Sequence, residues 1–132
     1  MKWYRKAADG GNAWAMSEIG DLYHCGNGVE QNYEEALKYY RKGAELGGSS
    51  ATRNVGYCYY WGRGVAKDYV EAMKWYRKAA EAGDYEAMAK VGDMYNRGEG
   101  VAQNEEEAKK WYKKAADGGN EWAKGQLSRL GY

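Results

Sequence analysis

The chain has 132 residues, 44% hydrophobic and 30% charged, a balance that fits a folded chain and excludes a disordered one. Twenty Lys and Arg against 19 Asp and Glu leave a net charge of +1, so the basic excess expected of a nucleic-acid-binding protein is missing. No apolar run approaches the ~18 residues of a membrane span, and Met1-Lys2-Trp3-Tyr4-Arg5-Lys6 is no signal peptide, so neither a membrane nor an export route is expected and a cytoplasm-like setting is.

Residues 1–8 place Trp3, Tyr4, Ala7 and Ala8 on one side of a short helix, which Gly10-Gly11 stops. Near-copies of residues 1–12 stand at 37–48, 73–84 and 109–120, a fixed spacing of 36 residues without insertion or deletion. Such a period predicts a solenoid in which each unit buries its apolar face only against its neighbours. The predicted organisation is one repeat domain. It comprises a half repeat at 1–12, full repeats at 13–48, 49–84 and 85–120, and a half repeat at 121–132.

Each full repeat reads as two helices, A and B. In helix A, Ala15, Ile19, Leu22, Tyr23 and Gly26 fall on one arc, matched by Ala51, Val55, Cys58, Tyr59 and Gly62 and by Ala87, Val91, Met94, Tyr95 and Gly98. Gly20, Gly56 and Gly92 sit mid-helix, where glycine costs about 1 kcal/mol against alanine. Repetition of that cost predicts a bulky side chain of helix B lying over each one. The turns Gly26-Asn27-Gly28, Gly62-Arg63-Gly64 and Gly98-Glu99-Gly100 have no preceding strand and no following Lys-Ser/Thr, so they are read as turns and not as phosphate loops. Asn32, Asp68 and Asn104 precede Glu35, Glu71 and Glu107 by three residues, the spacing of a reciprocal capping box opening helix B.

Helix B is expected to bury Ala36, Tyr39, Tyr40, Gly43 and Ala44, then Ala72, Trp75, Tyr76, Ala79 and Ala80, then Ala108, Trp111, Tyr112, Ala115 and Ala116. Trp75→Ala is accordingly expected to be severely destabilising. A last helix A follows, with Ala123, Leu127, Leu130 and Gly131 in register, which brings the expected total to eight helices. Cys25 and Cys58 stand at non-equivalent positions of neighbouring repeats and are expected to be reduced.

The run Ala87-x3-Val91-Gly92-x2-Tyr95-x2-Gly98-x-Gly100-Val101, continuing through Asn104, Ala108, Trp111-Tyr112-x-Lys114-Ala115-Ala116 to Gly119, resembles the Sel-one-like repeat, an all-helical relative of the tetratricopeptide repeat. Three copies keep the glycines, the aromatic pair and the Ala-Ala at fixed offsets, and the likeness covers essentially the whole chain. It implies an all-α right-handed superhelix of antiparallel helix pairs, with the A helices lining a concave face that serves as an adaptor or scaffold for other proteins. Some members are secreted and carry a disulfide within each repeat; the paired cysteines for that are lacking here.

The arc of helix A opposite its core arc is expected to be open. It carries Trp14, Ser17, Asp21 and His24, then Ser50, Arg53, Tyr57 and Tyr60, then Glu86, Ala89, Asp93 and Asn96, then Trp122, Gly125, Arg129 and Tyr132. Here the repeats disagree most, and aromatics beside arginine are the composition of protein-binding hot spots. A peptide or partner protein is therefore expected in this groove, with Trp14, His24, Arg53, Tyr57, Tyr60, Trp61, Lys90 and Arg97 as contacts. The lysines and arginines of helix B share their helices with glutamates, including Glu34–Lys38 and Glu106–Lys110, so they read as a solvated face.

For catalysis, His24 beside Cys25 makes no dyad, because adjacent helical residues diverge, and a lone His–Cys pair makes no zinc site. A non-enzymatic protein without cofactor or metal is expected. The alternative is an excised or engineered array whose activity is only to fold or to associate end to end through its half repeats.

Overall fold

The computed structural model describes residues 13–26 and 28–131. The helix expected at residues 1–8 lies outside them, with the half-repeat end it would supply. Seven helices follow one another among the described residues: α1 (Ala13–Cys25), α2 (Tyr33–Glu45), α3 (Ser49–Trp61), α4 (Tyr69–Glu81), α5 (Tyr85–Arg97), α6 (Glu105–Asp117) and α7 (Glu121–Arg129). Each packs on its sequence neighbours, so α1–α2, α3–α4 and α5–α6 are antiparallel pairs stacked into an all-α solenoid, with α1 also touching α3.

Local chemistry sets the helix ends. Asn32, Asp68 and Asn104 accept hydrogen bonds from the N–H groups of Glu35, Glu71 and Glu107 at 3.1, 3.1 and 3.2 Å. The return half of the expected box is replaced: the backbone N–H groups of Asn32, Asp68 and Asn104 donate to the carbonyls of Tyr23, Tyr59 and Tyr95, each at 2.9 Å. That bond ties the starts of α2, α4 and α6 to the ends of α1, α3 and α5. It leaves Glu71 and Glu107 to meet Lys74 and Lys110 instead. The pairs expected from Glu34 to Lys38 and from Glu106 to Lys110 are thus replaced, for Lys110, by a partner three residues back.

The mid-helix glycines are covered as expected. A Cβ on Gly20, Gly56 or Gly92 would lie 2.5, 2.9 or 2.8 Å from a ring carbon of Tyr40, Tyr76 or Tyr112. The aromatic of each B helix therefore beds directly on the backbone of its A helix. Those rings are the centre of each layer: Tyr40, Tyr76 and Tyr112 are all buried, with Val55, Val91 and Met94 around them.

Trp75 departs from expectation, being half-buried at the edge of the cluster around Ala36, Leu37 and Tyr40, as is Tyr39 beside Tyr23. The Nζ of Lys78 lies over the Trp75 ring at 5.4 Å and that of Lys114 over Trp111 at 4.7 Å, so part of the B-helix lysine ladder covers aromatics at the layer edge. The severe cost of truncation therefore moves from Trp75 to Tyr76. Leu37 and Met73, which fill the space between layers, were not anticipated as core.

The turn glycines have a second role. At Gly64 and Gly100, both with positive φ, a Cβ would lie 2.6 Å from the carbonyl oxygen of Tyr33 or Tyr69 in the preceding repeat, whereas among the described residues nothing lies within 4 Å of a Cβ at Gly28. Gly64→Ala is expected to cost about 2–3 kcal/mol in urea unfolding, combining left-handed strain with a backbone clash, and Gly28→Ala about 1 kcal/mol. Equal losses would mean that the turns do not fix the spacing of the repeats.

Candidate functional site

The A helices share one face, and two adjoining cavities open along it. One, of about 310 Å³, is walled by Tyr60, Trp61, Met94 and Trp122 and edged by Lys90, Asp93 and Arg97. The other, of about 200 Å³, lies between Asp21, His24, Arg53, Tyr57 and Glu86. Tyr76 and Lys90 line both. Of the eight residues expected in the groove, His24, Arg53, Tyr57, Tyr60, Trp61, Lys90 and Arg97 are thus brought to these cavities. Trp14, 52% exposed, lines neither.

The expected open arc is not open along its length. Ser17, Ala89 and Asp93 are 5%, 3% and 7% exposed: α3 lies against α1 over Ser17, Ala89 packs with Ala108, Tyr112, Ala115 and Ala123, and Tyr112 and Trp122 close over Asp93. Asn54 donates to the Ser17 hydroxyl at 3.2 Å across that seam.

Several groove residues are already engaged. Arg53 reaches Asp84, the N-cap of α5, at 3.1 Å and Glu86 at 3.1 Å. Tyr60 donates to Glu99 at 2.8 Å and accepts from Arg97 at 3.3 Å. Burial, then the Glu99 carboxylate, pushes its phenol up to about 12. Its ring lies 5.0 Å from those of Trp61 and Tyr69. Tyr57 lies between His24, 5.6 Å away, and Trp61, 6.3 Å away. Tyr57 and Tyr60 are therefore half-buried walls with one edge on the groove, held in place before any ligand arrives.

Two residues of this network were missed in the sequence. Arg63 donates to Nε2 of His24 at 3.2 Å while its guanidinium lies over the rings of Tyr33 and Tyr57, and Glu99 takes the Tyr60 hydroxyl. Both are the middle residue of a Gly-x-Gly turn and both reach back to the same position of the preceding A helix. The pairing of Arg with His and of Glu with Tyr at a constant offset is the signal that could have found them.

Acceptance from Arg63 requires neutral His24 with its proton on Nδ1. Burial first, then the Arg63 charge, holds its pKa below the ordinary 6.5. The folded state consequently binds fewer protons than the unfolded one, so stability falls as pH drops through and below the ordinary value, and is unaffected above it. The loss between pH ~7 and ~5 in urea unfolding is expected to be smaller in His24→Gln than in the parent chain. Parallel pH profiles would remove the His24–Arg63 latch.

Elsewhere on the face, Tyr40 donates to Asp21 at 2.5 Å and Tyr112 to Asp93 at 2.5 Å, with the Trp122 indole N–H also on Asp93 at 3.0 Å. The adjacent His24 and Cys25 have their Nδ1 and Sγ 4.0 Å apart. Both cysteines are free, Cys25 exposed and Cys58 buried, and burial pushes the Cys58 thiol up to about 12. Among the described residues no group of His, Cys, Asp and Glu could hold a metal ion, and no helix is long and apolar enough to cross a membrane.

The sequence pattern of the Sel1 repeat matches residues 1–12, 15–48, 49–84 and 86–120. Among solved structures, a protective antigen of uropathogenic Escherichia coli strains displaying an SLR fold is similar, with 41% identity and a TM-score of 0.91 over 97% of this chain. A Sel1 repeat protein from Oxalobacter formigenes has 39% identity and a TM-score of 0.93 over 98% of it. The cysteine-rich protein B of Helicobacter pylori has 29% identity and a TM-score of 0.75, covering 96% of both chains. The chain spans 27% of the Escherichia coli protein and 53% of the Oxalobacter protein. No curated protein matches it.

Proposed function

From a chain that belongs to the Sel1 repeat family, a non-enzymatic helical scaffold, we propose a protein-interaction module that binds a peptide or a segment of a partner protein along the face of its A helices. The observation that carries this reading is the pair of adjoining cavities walled by Tyr57, Tyr60, Trp61 and Trp122, at the positions where the repeats diverge. Repeat positions that serve only packing keep one residue type here, as the buried Ala15, Ala51, Ala87 and Ala123 do. Those that vary are free to carry recognition. Pre-held aromatics supply contact area at low entropic cost, which favours affinity for a flexible segment.

A displayed library of random linear peptides, selected on the parent chain and counter-selected on Tyr57→Ala/Tyr60→Ala with its fold checked by circular dichroism, tests this. Peptides that bind the parent and lose about 10-fold or more on the variant are the expected result. Binders indifferent to both substitutions would place recognition on another surface.

A further inference from the structure

In the first and third repeats the central tyrosine of helix B is answered by an aspartate of helix A: Tyr40 by Asp21 and Tyr112 by Asp93. In the second repeat the tyrosine is kept as Tyr76 and the aspartate is replaced by Tyr57. Tyr76 lines both cavities, and among the described residues its hydroxyl has no carboxylate to answer it.

Next to it stands Lys90, half-buried and also lining both cavities. The carboxylates that line these cavities with it are already engaged. Asp21 takes the Tyr40 hydroxyl, Asp93 takes Tyr112 and Trp122, and Glu86 is paired with Arg53. Among the described residues Lys90 has neither an ion-pair nor a hydrogen-bond partner. At the junction of the cavities, then, Tyr76 and Lys90 line the same space, in the repeat where Tyr57 replaces the carboxylate that its neighbours hold as Asp21 and Asp93.

We propose that the ligand supplies this missing carboxylate: an aspartate or glutamate side chain of the bound segment, seated between Tyr76 and Lys90, with a large apolar neighbour in the cavity walled by Trp61 and Trp122. The chemistry repeats what the protein does internally, a tyrosine O–H donating to a carboxylate, strengthened by a cation that lines the same cavities. The carboxylate belongs to a side chain and not to a chain terminus, because the cavities continue on both sides of Lys90 and a segment can run through. This rests on the groove reading above and adds the character of the ligand.

The peptides selected on the parent chain provide the test. They are expected to share an Asp or Glu beside an aromatic or large aliphatic residue. Replacing that acid by its amide should weaken binding to the parent by about 10-fold, and to Lys90→Gln by no more than about twofold, since the partner is already gone. Tyr76→Phe should lose a smaller part of the same difference. Selected peptides that lose affinity on Tyr57→Ala/Tyr60→Ala yet carry no acid, or whose acid can become an amide in the parent complex without loss, overturn the carboxylate site and leave groove binding standing. Selected peptides indifferent to the tyrosines, or a selection that yields none, overturn both. The acid-to-amide comparison uses the parent protein alone, so it holds even where a Lys90 variant folds poorly.

Discussion

Tyr76→Ala is expected to lower stability by about 3–5 kcal/mol, the range of a large aromatic truncated in a core. The ring is 1% exposed, lies on the backbone of Gly56 and belongs to the cluster that joins Met73, Val91, Met94 and Trp111 across layers. Its removal opens a hole between α3 and α4 in the middle layer, which surrounding structure relaxes into only partly. A solenoid holds together by nearest-neighbour contacts, so a gap in the middle layer uncouples the two ends. Urea unfolding should shift to a lower midpoint and broaden. Trp75→Ala, at the half-buried neighbouring position, should cost clearly less, and a larger loss at Trp75 would put the layer centre in the wrong place.

The second large effect has the opposite sign from the one helix propensity gives. Gly92→Ala would add about 1 kcal/mol of stability in an exposed helix. Here it should remove about 2 kcal/mol, since overpacking a core by even one methyl group costs about 1–3 kcal/mol. The new Cβ would lie 2.8 Å from two carbons of the Tyr112 ring, and the ring cannot swing aside because its hydroxyl is bonded to Asp93. Gly125→Ala, in α7, is the control: among the described residues nothing lies within 4 Å of its Cβ, so propensity should win there and stability should rise or hold. Urea midpoints of the two variants on either side of the parent are the expected outcome. Both rising would show that the tyrosines do not lie on the glycines.

The order of helices, their caps and the bedding of a tyrosine on each mid-helix glycine were legible in the sequence because they recur at a fixed offset, and recurrence in a solenoid reports the interface between units. What differs between repeats was legible only in part. Trp75 and Tyr76 read alike as core aromatics, yet a lysine covers one and two helices cover the other, a distinction of depth that the apolar pattern does not carry. Asp93 falls on the polar arc of its helix, but Tyr112 and Trp122 close over it, and only the three-dimensional approach of α6 and α7 reveals that.

The groove residues divide in the same way. Tyr57, Tyr60 and Trp61 stood out as aromatics that solvent does not call for, with Lys90 and Arg97 flanking the same arc, and the structure brings them to one pair of cavities. Arg53 stood out as an arginine beside these aromatics, and it is held by Asp84 and Glu86, ion pairs that tie α3 to α5. Arg63 and Glu99 escaped notice because a Gly-x-Gly turn explains its glycines and says nothing of the residue between them.

The central claim, a ligand segment lying along the A helices, is tested most directly by titrating the isotopically labelled chain with a selected peptide and following its backbone amide resonances. Shifts concentrated in α3 and α5, reaching α1 and α7 on either side and sparing the lysine-bearing surfaces of α2, α4 and α6, are predicted. Shifts confined to those outer surfaces of the B helices, with the amides around Tyr57, Tyr60 and Lys90 unmoved, would contradict it.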